Sequence, residues 1–298
     1  MNRTIDVIGV QMDMGASRRG VNMGPSAIRF AGLIEGLRRE NHAVNDLGDL
    51  LPKLQGETAS TMKNYEQVID VNRRLYDQVR AILQKGHFPV VLGGDHSIAA
   101  GSAEAVVAFY GPEKTGLIWI DAHGDWNNEE TSISGNMHGM PFSALCGHGP
   151  DCMVTFSSKP IFYDIRRCVQ IGGRDIEKEE RKRMKEAGLT VFSIDRVDRL
   201  GIAEVIRQAV AIASEGGGGF HVSFDIDAVT PDAAPGTGTP VHSGLTAREA
   251  FTAAEMLAAS GHMVSMDMVE VNPMLDDRNK TGLLASELIQ SALGKSVY

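Results

Sequence analysis

Two short aspartate–histidine clusters and a third cluster with aspartate alone stand far apart in the chain and have the composition of metal ligands. They are GGDHS at 93–97, DAHGD at 121–125 and SFDID at 223–227. Aspartate offers hard oxygen donors and histidine a borderline nitrogen donor, and no cluster contains a cysteine thiolate. This donor set suits Mn²⁺ and, less exclusively, Fe, Co, Ni or Zn. It argues against a structural cysteine–zinc site.

The spacing within the clusters separates ligands from their neighbours. Side chains two residues apart on an extended backbone point to the same side, which applies within DAHGD and within the Asp-x-Asp of SFDID. The candidate ligands are His96, Asp121, His123, Asp125, Asp225 and Asp227. Their four carboxylates and two neutral imidazoles balance two divalent cations, whereas four buried aspartates without cations would be very costly. The sequence therefore predicts a binuclear site, which would also acidify a bridging water to hydroxide near neutral pH.

A simpler interpretation exists for each cluster taken alone. A single Asp-x-Asp after a strand is more often a helix cap or a loop than a metal ligand. Asp95 is interpreted in that sense, as the cap of the helix that follows it or as a group that orients His96. Three such clusters at three strand ends are hard to obtain by chance, so metal binding is the preferred hypothesis.

The elements that must carry these clusters alternate between strand and helix. Each cluster follows an apolar run of strand length, FPVVL, GLIWI or FHVSF. Strands are predicted at 5–11, 43–48, 88–94, 116–123, 168–173, 189–195, 219–227 and 261–271, and helices at 62–86, 97–110, 176–187, 201–214, 246–259 and 281–293. This order predicts an α/β fold with a parallel sheet covered on both faces, whose carboxyl strand ends open into one crevice. No Pro- or Ser-rich linker divides the chain, so 1–298 is predicted to be a single domain.

Composition narrows the class of protein. The chain has 298 residues, 43% hydrophobic and 22% charged, which is ordinary for a globular protein. The net charge of −9 argues against nucleic acid or anionic membranes as partners. No apolar run approaches the roughly 20 residues that span a bilayer, and MNRTIDVIGV is too polar and short for a signal peptide. The odd number of cysteines (Cys146, Cys152 and Cys168) indicates reduced thiols, with a chance disulfide as the alternative. We therefore expect a cytoplasmic protein.

Six ordered motifs carry a resemblance to a known family. GGDHS, DAHGDWN, SGNMHGMP, SFDIDAVTP, GTGTP and MVEVNP resemble the ureohydrolase family, most closely its bacterial arginases. The resemblance implies a single-domain, three-layer α/β/α fold with a parallel sheet of about eight strands. It also implies two Mn²⁺ ions per subunit. One would be held by His96, Asp121, Asp125 and Asp225, and the other by His123, Asp121, Asp225 and Asp227.

The same resemblance implies catalytic roles for residues outside the ligand set. His138 matches the proton-transfer histidine of the family, although alone it would be taken for a surface loop histidine. Glu270, at the end of the strand MVSMDMVE, matches the carboxylate that binds the substrate guanidinium. Asp227 is a second candidate for proton delivery. Thr239 matches a hydroxyl beside the metals and would otherwise be interpreted as a turn residue.

Further positions are implied to bind the amino-acid end of the substrate. Asn127, Ser134 and Asn136 match loop positions that hold the α-carboxylate of arginine, although each alone would be taken for a cap or a turn. Glu177 falls where arginases usually carry an aspartate directed to the α-amino group, and Trp126 replaces a small aliphatic residue. The run EKEERKRMKEAG at 177–188 is otherwise interpreted as a solvated helix face.

The resemblance implies hydrolysis of L-arginine to L-ornithine and urea by a homotrimer or homohexamer. The nearest alternative is hydrolysis of agmatine or guanidinobutyrate, which the carboxylate-binding loop SGNMHG disfavours and Glu177 leaves open. A metal-binding scaffold without catalysis would require lost ligands or a missing Glu270, and neither is seen. A binuclear phosphohydrolase would need cationic phosphate clamps, and the site loops hold few Lys or Arg. The sequence lacks G-x-G-x-x-G after a strand and G-x-S-x-G, so a dehydrogenase or serine hydrolase is unsupported.

Overall fold

The computed structural model describes residues 3–53 and 62–296, and the strands in these ranges form one sheet. Met1 and Asn2 of the N-terminal segment lie outside the described residues. The strands are β1 Thr4–Val10, β2 Ala43–Leu50, β3 Phe88–Leu92, β4 Thr115–Ile120, β5 Cys168–Ile171, β6 Thr190–Phe192, β7 Gly219–Asp225 and β8 Met263–Val269. Their order is β2-β1-β3-β8-β7-β4-β5-β6, and every pair is parallel. The predicted parallel sheet of about eight strands is confirmed.

Helices cover both faces of this sheet. They are α1 Gly24–Phe30, α2 Leu33–Arg39, α3 Tyr65–Gln84, α4 Ala99–Tyr110, α5 Pro141–Leu145, α6 Lys178–Ala187, α7 Ile194–Leu200, α8 Ile202–Ala213, α9 Ala247–Ser260 and α10 Lys280–Ala292. One buried apolar cluster joins the sheet to α1, α2 and α7–α10, and a second joins its other face to α3–α6. The three-layer α/β/α prediction is therefore confirmed.

Side-chain alternation along the central strands explains why both faces are apolar. In β4, Leu117 and Trp119 belong to the core under α3–α6, whereas Ile118 and Ile120 belong to the opposite core. Every residue of β3 and β4 is buried, as expected for strands covered on both sides.

The long helices begin and end within three residues of their predicted bounds, but four short helices were not predicted. These are α1, α2, α5 and α7, each of five to seven residues. Fewer than two turns give too little periodicity to separate a helix from a loop by sequence pattern. Within the described ranges, no helix is both long and apolar enough to cross a membrane. Cys146, Cys152 and Cys168 are free thiols.

The sheet order brings four strand ends together. β3, β8, β7 and β4 are adjacent, and the three ligand clusters and Glu270 lie at or directly after their carboxyl ends. The β3 end passes very close to other backbone: a Cβ on Gly94 would lie 1.8 Å from the carbonyl oxygen of Met12. Only glycine fits there, so the Gly93-Gly94 pair lets the chain turn His96 over the ends of β8 and β7.

Candidate active site

The first group of converging ligands is centred on His96. Asp95 caps the short 3-10 helix His96–Ile98 by accepting the backbone N–H of Ser97 at 3.0 Å, as its sequence position indicated. This turn directs the His96 ring into the strand-end crevice. Its Nδ1 lies 3.0 Å from Asp121 Oδ2, 3.1 Å from Asp125 Oδ2 and 3.2 Å from Asp225 Oδ2.

A second group lies beside the first and shares one aspartate with it. His123 Nδ1 lies 3.1 Å from Asp227 Oδ2 and 3.4 Å from Asp121 Oδ1. The two oxygens of Asp121 thus face different groups, which is the arrangement of a carboxylate that bridges two cations. The six predicted ligands are brought together, with Asp225 in the first group only.

The first group has the geometry and the unsatisfied atoms of a cation site. Within the described part of the chain, His96 Nδ1 and Asp125 Oδ2 are buried and have no hydrogen-bond partner. Donors about 2.0–2.2 Å from one ion stand about 3 Å apart when they are neighbours at right angles. The observed separations of 3.0–3.2 Å between His96 Nδ1 and the carboxylates match that spacing. The residues present therefore fit a divalent cation.

The electrostatics of both groups also favour cations. Burial and repulsion from Asp121 raise the pKa of Asp125 to about 6, and burial with repulsion from Asp227 raises that of Asp225 well above its usual range. Burial opposes protonation of His96, but the carboxylates that surround it raise its pKa well above the usual value. The buried carboxylates therefore carry more negative charge than their surroundings compensate, and they are stabilised by binding protons or cations. Two divalent cations would supply the compensating charge without protonating the ligands.

A pocket of about 200 Å³ opens above the two groups. It is lined by His96, His123, Asp125, Asn127, His138, Gly139, Asp175, Glu177, Glu180, Asp225 and Thr239. Thr239 Oγ1 donates a hydrogen bond to Asp227 Oδ2 at 3.1 Å, which places this hydroxyl beside the second group. The predicted residues Asn127, His138, Glu177 and Thr239 therefore all reach the pocket.

Glu270 lies behind His138 and joins the pocket wall to the first group. Its Oε1 accepts the backbone N–H of His96 at 2.9 Å and lies 3.1 Å from His138 Nδ1. Burial lowers the pKa of His138, but the hydrogen bond and negative charge of Glu270 outweigh this effect and raise it to about 9. The predicted proton-transfer and guanidinium-binding residues are thus in direct contact with each other.

Two predicted contacts of the substrate carboxylate lie outside the pocket wall. Ser134 is exposed, and its Oγ accepts the backbone N–H of Asn136. The Asn136 side-chain oxygen accepts hydrogen bonds from Ser17 Oγ at 3.0 Å and Lys63 Nζ at 3.2 Å. The last two bonds hold the loop against Ser17 and Lys63. Of the three predicted residues, Asn127 is the one that lines the pocket.

Two acidic residues of the pocket were missed by sequence reasoning. Asp175 lies on the rim, with Oδ2 3.9 Å from His123 Nε2. Glu180 is buried and accepts the backbone N–H groups of Trp126 at 2.8 Å and Glu177 at 3.2 Å, and burial raises its pKa to about 7. Describing 177–188 as a solvated helix face was therefore wrong for Glu180. Its position three residues after the N-cap, as in a capping box, was the available signal.

Comparison with known proteins agrees with this geometry over the whole chain. A sequence model of the arginase family matches residues 3–294. The arginases of Bacillus caldovelox and Bacillus subtilis strain 168 are each 43% identical to this chain, and the alignments cover 99% and 100% of both sequences, respectively. The solved structure of Bacillus caldovelox arginase superposes with a TM-score of 0.95, covering 99% of this chain and 100% of that one. The chain therefore belongs to the arginase family.

Proposed function

We propose that this protein hydrolyses the guanidinium group of L-arginine to give L-ornithine and urea. The observation that carries the proposal is the pair of carboxylate–imidazole groups that share Asp121 at the base of a small acidic pocket. The arginases at 43% identity over their full length support the same reaction and substrate.

The base of the pocket would hold two divalent cations. The first would be bound by His96, Asp121, Asp125 and Asp225. The second would be bound by His123, Asp121 and Asp227, to which the family resemblance adds Asp225. When bound, the cations would supply a hydroxide nucleophile near neutral pH and electrostatic stabilisation of the oxygen that adds to the guanidinium carbon.

The remaining chemistry belongs to the chain's own side chains. The Glu270 carboxylate attracts the planar guanidinium cation and orients its carbon toward the base of the pocket. Because His138 Nδ1 contacts Glu270, Nε2 is the ring nitrogen available to deliver a proton to the departing amine. Asp227, which accepts the Thr239 hydroxyl, is the second candidate for proton delivery.

The pocket rim provides recognition of the amino-acid end of arginine. Asp175 and Glu177 place negative charge where an α-ammonium group would enter, and Asn127 offers a neutral amide donor for an α-carboxylate. The side chain of Glu177 is one methylene longer than aspartate. Since it lines the pocket, we propose that it contacts the ammonium group directly.

A urea-release assay with Mn²⁺-loaded protein tests the reaction and the substrate together. Arginine, agmatine and guanidinobutyrate share the reacting group, but agmatine lacks the α-carboxylate and guanidinobutyrate the α-amino group. We expect the highest kcat/KM with arginine. Release of urea from agmatine but not from arginine would reassign the substrate, and metal binding without urea from any of the three would indicate a scaffold.

Three further features belong to this proposal. Mn²⁺ is the proposed metal, because a donor set of carboxylate oxygens and imidazole nitrogens suits it. The proposed assembly is a homotrimer or homohexamer of single-domain subunits spanning 1–298, located in the cytoplasm. Metal analysis of the purified protein and sedimentation velocity test the metal and the assembly.

A further inference from the structure

Behind the metal-binding edge of the sheet lies a compact polar network inside an otherwise apolar core. It consists of Ser102 on α4, His221 and Ser223 on β7, and Ser265 and Asp267 on β8, each no more than 1% exposed. The strand register pairs His221 with Ser265 and Ser223 with Asp267, so these four side chains lie on one face of the sheet. Burying so many polar groups is costly unless every one is hydrogen-bonded.

Asp267 is the centre of this network. Its Oδ1 accepts a hydrogen bond from the Ser223 hydroxyl. Its Oδ2 accepts hydrogen bonds from Ser102 Oγ at 2.7 Å and from His221 Nε2 at 3.0 Å. The other ring nitrogen of His221 lies 2.7 Å from Ser265 Oγ. Burial alone would raise the pKa of Asp267, but the charge and hydrogen bond of His221 hold it below its usual range. The carboxylate is therefore ionised and can only accept hydrogen bonds.

The proton count of the network extends to the metal-binding histidine. Ser223 has one hydroxyl proton and gives it to Asp267, so toward His96 Nε2, 2.8 Å away, Ser223 can only accept. His96 Nε2 must then carry a proton. In a neutral ring this leaves Nδ1 with its lone pair, and Nδ1 is the nitrogen that faces the three carboxylates of the first group.

We propose that Asp267 is a positioning residue that, through Ser223, holds His96 in the Nε2–H tautomer whose Nδ1 can ligate a cation. His221 keeps the Asp267 carboxylate oriented. A network that only filled the core would not need to end on a ligand, whereas this one reaches His96 through a single hydroxyl. The inference depends on the metal site of the proposed function but not on its substrate.

Asp267→Asn tests the proposal with a side chain of the same shape. In Asp267, Oδ2 accepts hydrogen bonds from two donors, Ser102 and His221, and Oδ1 accepts one, from Ser223. The asparagine NH₂ group therefore replaces fewer hydrogen bonds if it takes the place of Oδ1 and faces Ser223. The Ser223 hydroxyl would then turn its proton toward His96 Nε2 and force the ring proton onto Nδ1. Loss of such an outer partner typically lowers metal affinity about 10- to 100-fold.

The readout is Mn²⁺ affinity, measured without substrate by competition with a chromophoric chelator. In Asp267→Asn we expect one of the two sites to weaken and the other, which contains His123, to keep its affinity. Ser102→Ala is the matched control, because it removes a buried hydrogen bond to the same carboxylate without touching Ser223 or His96. It should lower thermal stability but leave both affinities unchanged.

A measurement on the unmodified protein keeps the test independent of how the variants fold. In ¹⁵N-histidine spectra of Zn²⁺-loaded protein, the His96 ring should carry its proton on Nε2. A proton on Nδ1 would overturn the proposal, as would wild-type affinity at both sites in Asp267→Asn or an equal loss in Ser102→Ala. Failure of the unmodified protein to bind Mn²⁺ would instead refute the proposed function.

Discussion

Replacing Glu270 with glutamine should separate substrate binding from metal binding. The Glu270 side chain is 2% exposed, and its Oε1 accepts the His96 backbone N–H at 2.9 Å and contacts His138 Nδ1 at 3.1 Å. Glutamine has the same shape and keeps an acceptor for the His96 N–H. It removes the negative charge that would face the guanidinium cation and that stabilises protonated His138. The fold and the six metal ligands are left in place.

The size of the effect follows from the loss of one partner of a buried charge pair. Removing such a partner costs about 2–5 kcal/mol, and about 1.36 kcal/mol corresponds to tenfold in rate, so kcat/KM for arginine should fall by about 30- to 5,000-fold. The loss should appear in kcat as well as KM, because the weakened His138 contact affects the proton-transfer step.

Urea release, Mn²⁺ content and the thermal midpoint should be measured on the same preparation. We expect two Mn²⁺ per subunit and a midpoint close to that of the unmodified protein, with most turnover lost. Glu180→Gln is the matched control, because Glu180 is also a buried carboxylate near the proposed cation sites, but among the described residues it bonds to the backbone N–H groups of Trp126 and Glu177. Full activity of Glu270→Gln would refute the assigned role. Loss of metal from Glu270→Gln would show that Glu270 supports the ligands rather than the substrate.

Three other outcomes follow from the structure. Chelation of Mn²⁺ should lower the thermal midpoint in scanning fluorimetry, since a free ion at 100-fold its Kd contributes about 2.7 kcal/mol per site. Arg29→Met removes ion pairs to Asp46 at 2.8 Å and to Asp49, and should lower the free energy of unfolding in urea by about 1–2 kcal/mol at pH 7. Burial opposes ionisation of Asp46, but Arg29 outweighs this effect and lowers the pKa of Asp46 below 3.8. The stabilisation by this ion pair is therefore present above about pH 4 and is lost as pH falls through the folded pKa. An unchanged difference in free energy of unfolding between the unmodified protein and Arg29→Met at pH 3 would contradict this. Trp119 stacks on His96 and donates to Asp121, so Mn²⁺ should change tryptophan emission, and Trp119→Phe should abolish most of that change.

The sheet and the ligand clusters could be predicted because their information is local. A buried parallel strand appears in the sequence as a short apolar run. Two ligands that lie two residues apart after its end, such as Asp121 and His123, direct their side chains to the same side. Sheet order was not needed, because all carboxyl strand ends of a parallel sheet lie at one edge. The same logic assigned Asp95 to a cap, and the structure agrees, since Asp95 accepts the N–H of Ser97.

Features that depend on packing between distant segments could not be predicted in this way. Asp267 lies in MVSMDMV, where alternation alone indicates an ordinary core strand; its partners, Ser223 and Ser102, are 44 and 165 residues away along the chain. The hydrogen bonds that Asn136 Oδ1 accepts from Ser17 and Lys63 were likewise outside the reach of local patterning. In each case the deciding contact joins segments that no window of sequence contains.

Glu270 shows where local patterning ends and the site begins. Its φ of 64° lies in the left-handed region, which costs a residue with a side chain about 1–3 kcal/mol, and Asp125 adopts a similar φ of 47°. In Glu270 this conformation is stabilised by its N–H bond to Gly94 O at 2.8 Å and by its side-chain bond to the His96 N–H. Both bonds go to the loop after β3, so the carboxylate is aimed by the same glycine-dependent turn that aims the ligand. The Glu270 carboxylate and the first group of converging side chains are therefore positioned by one piece of backbone.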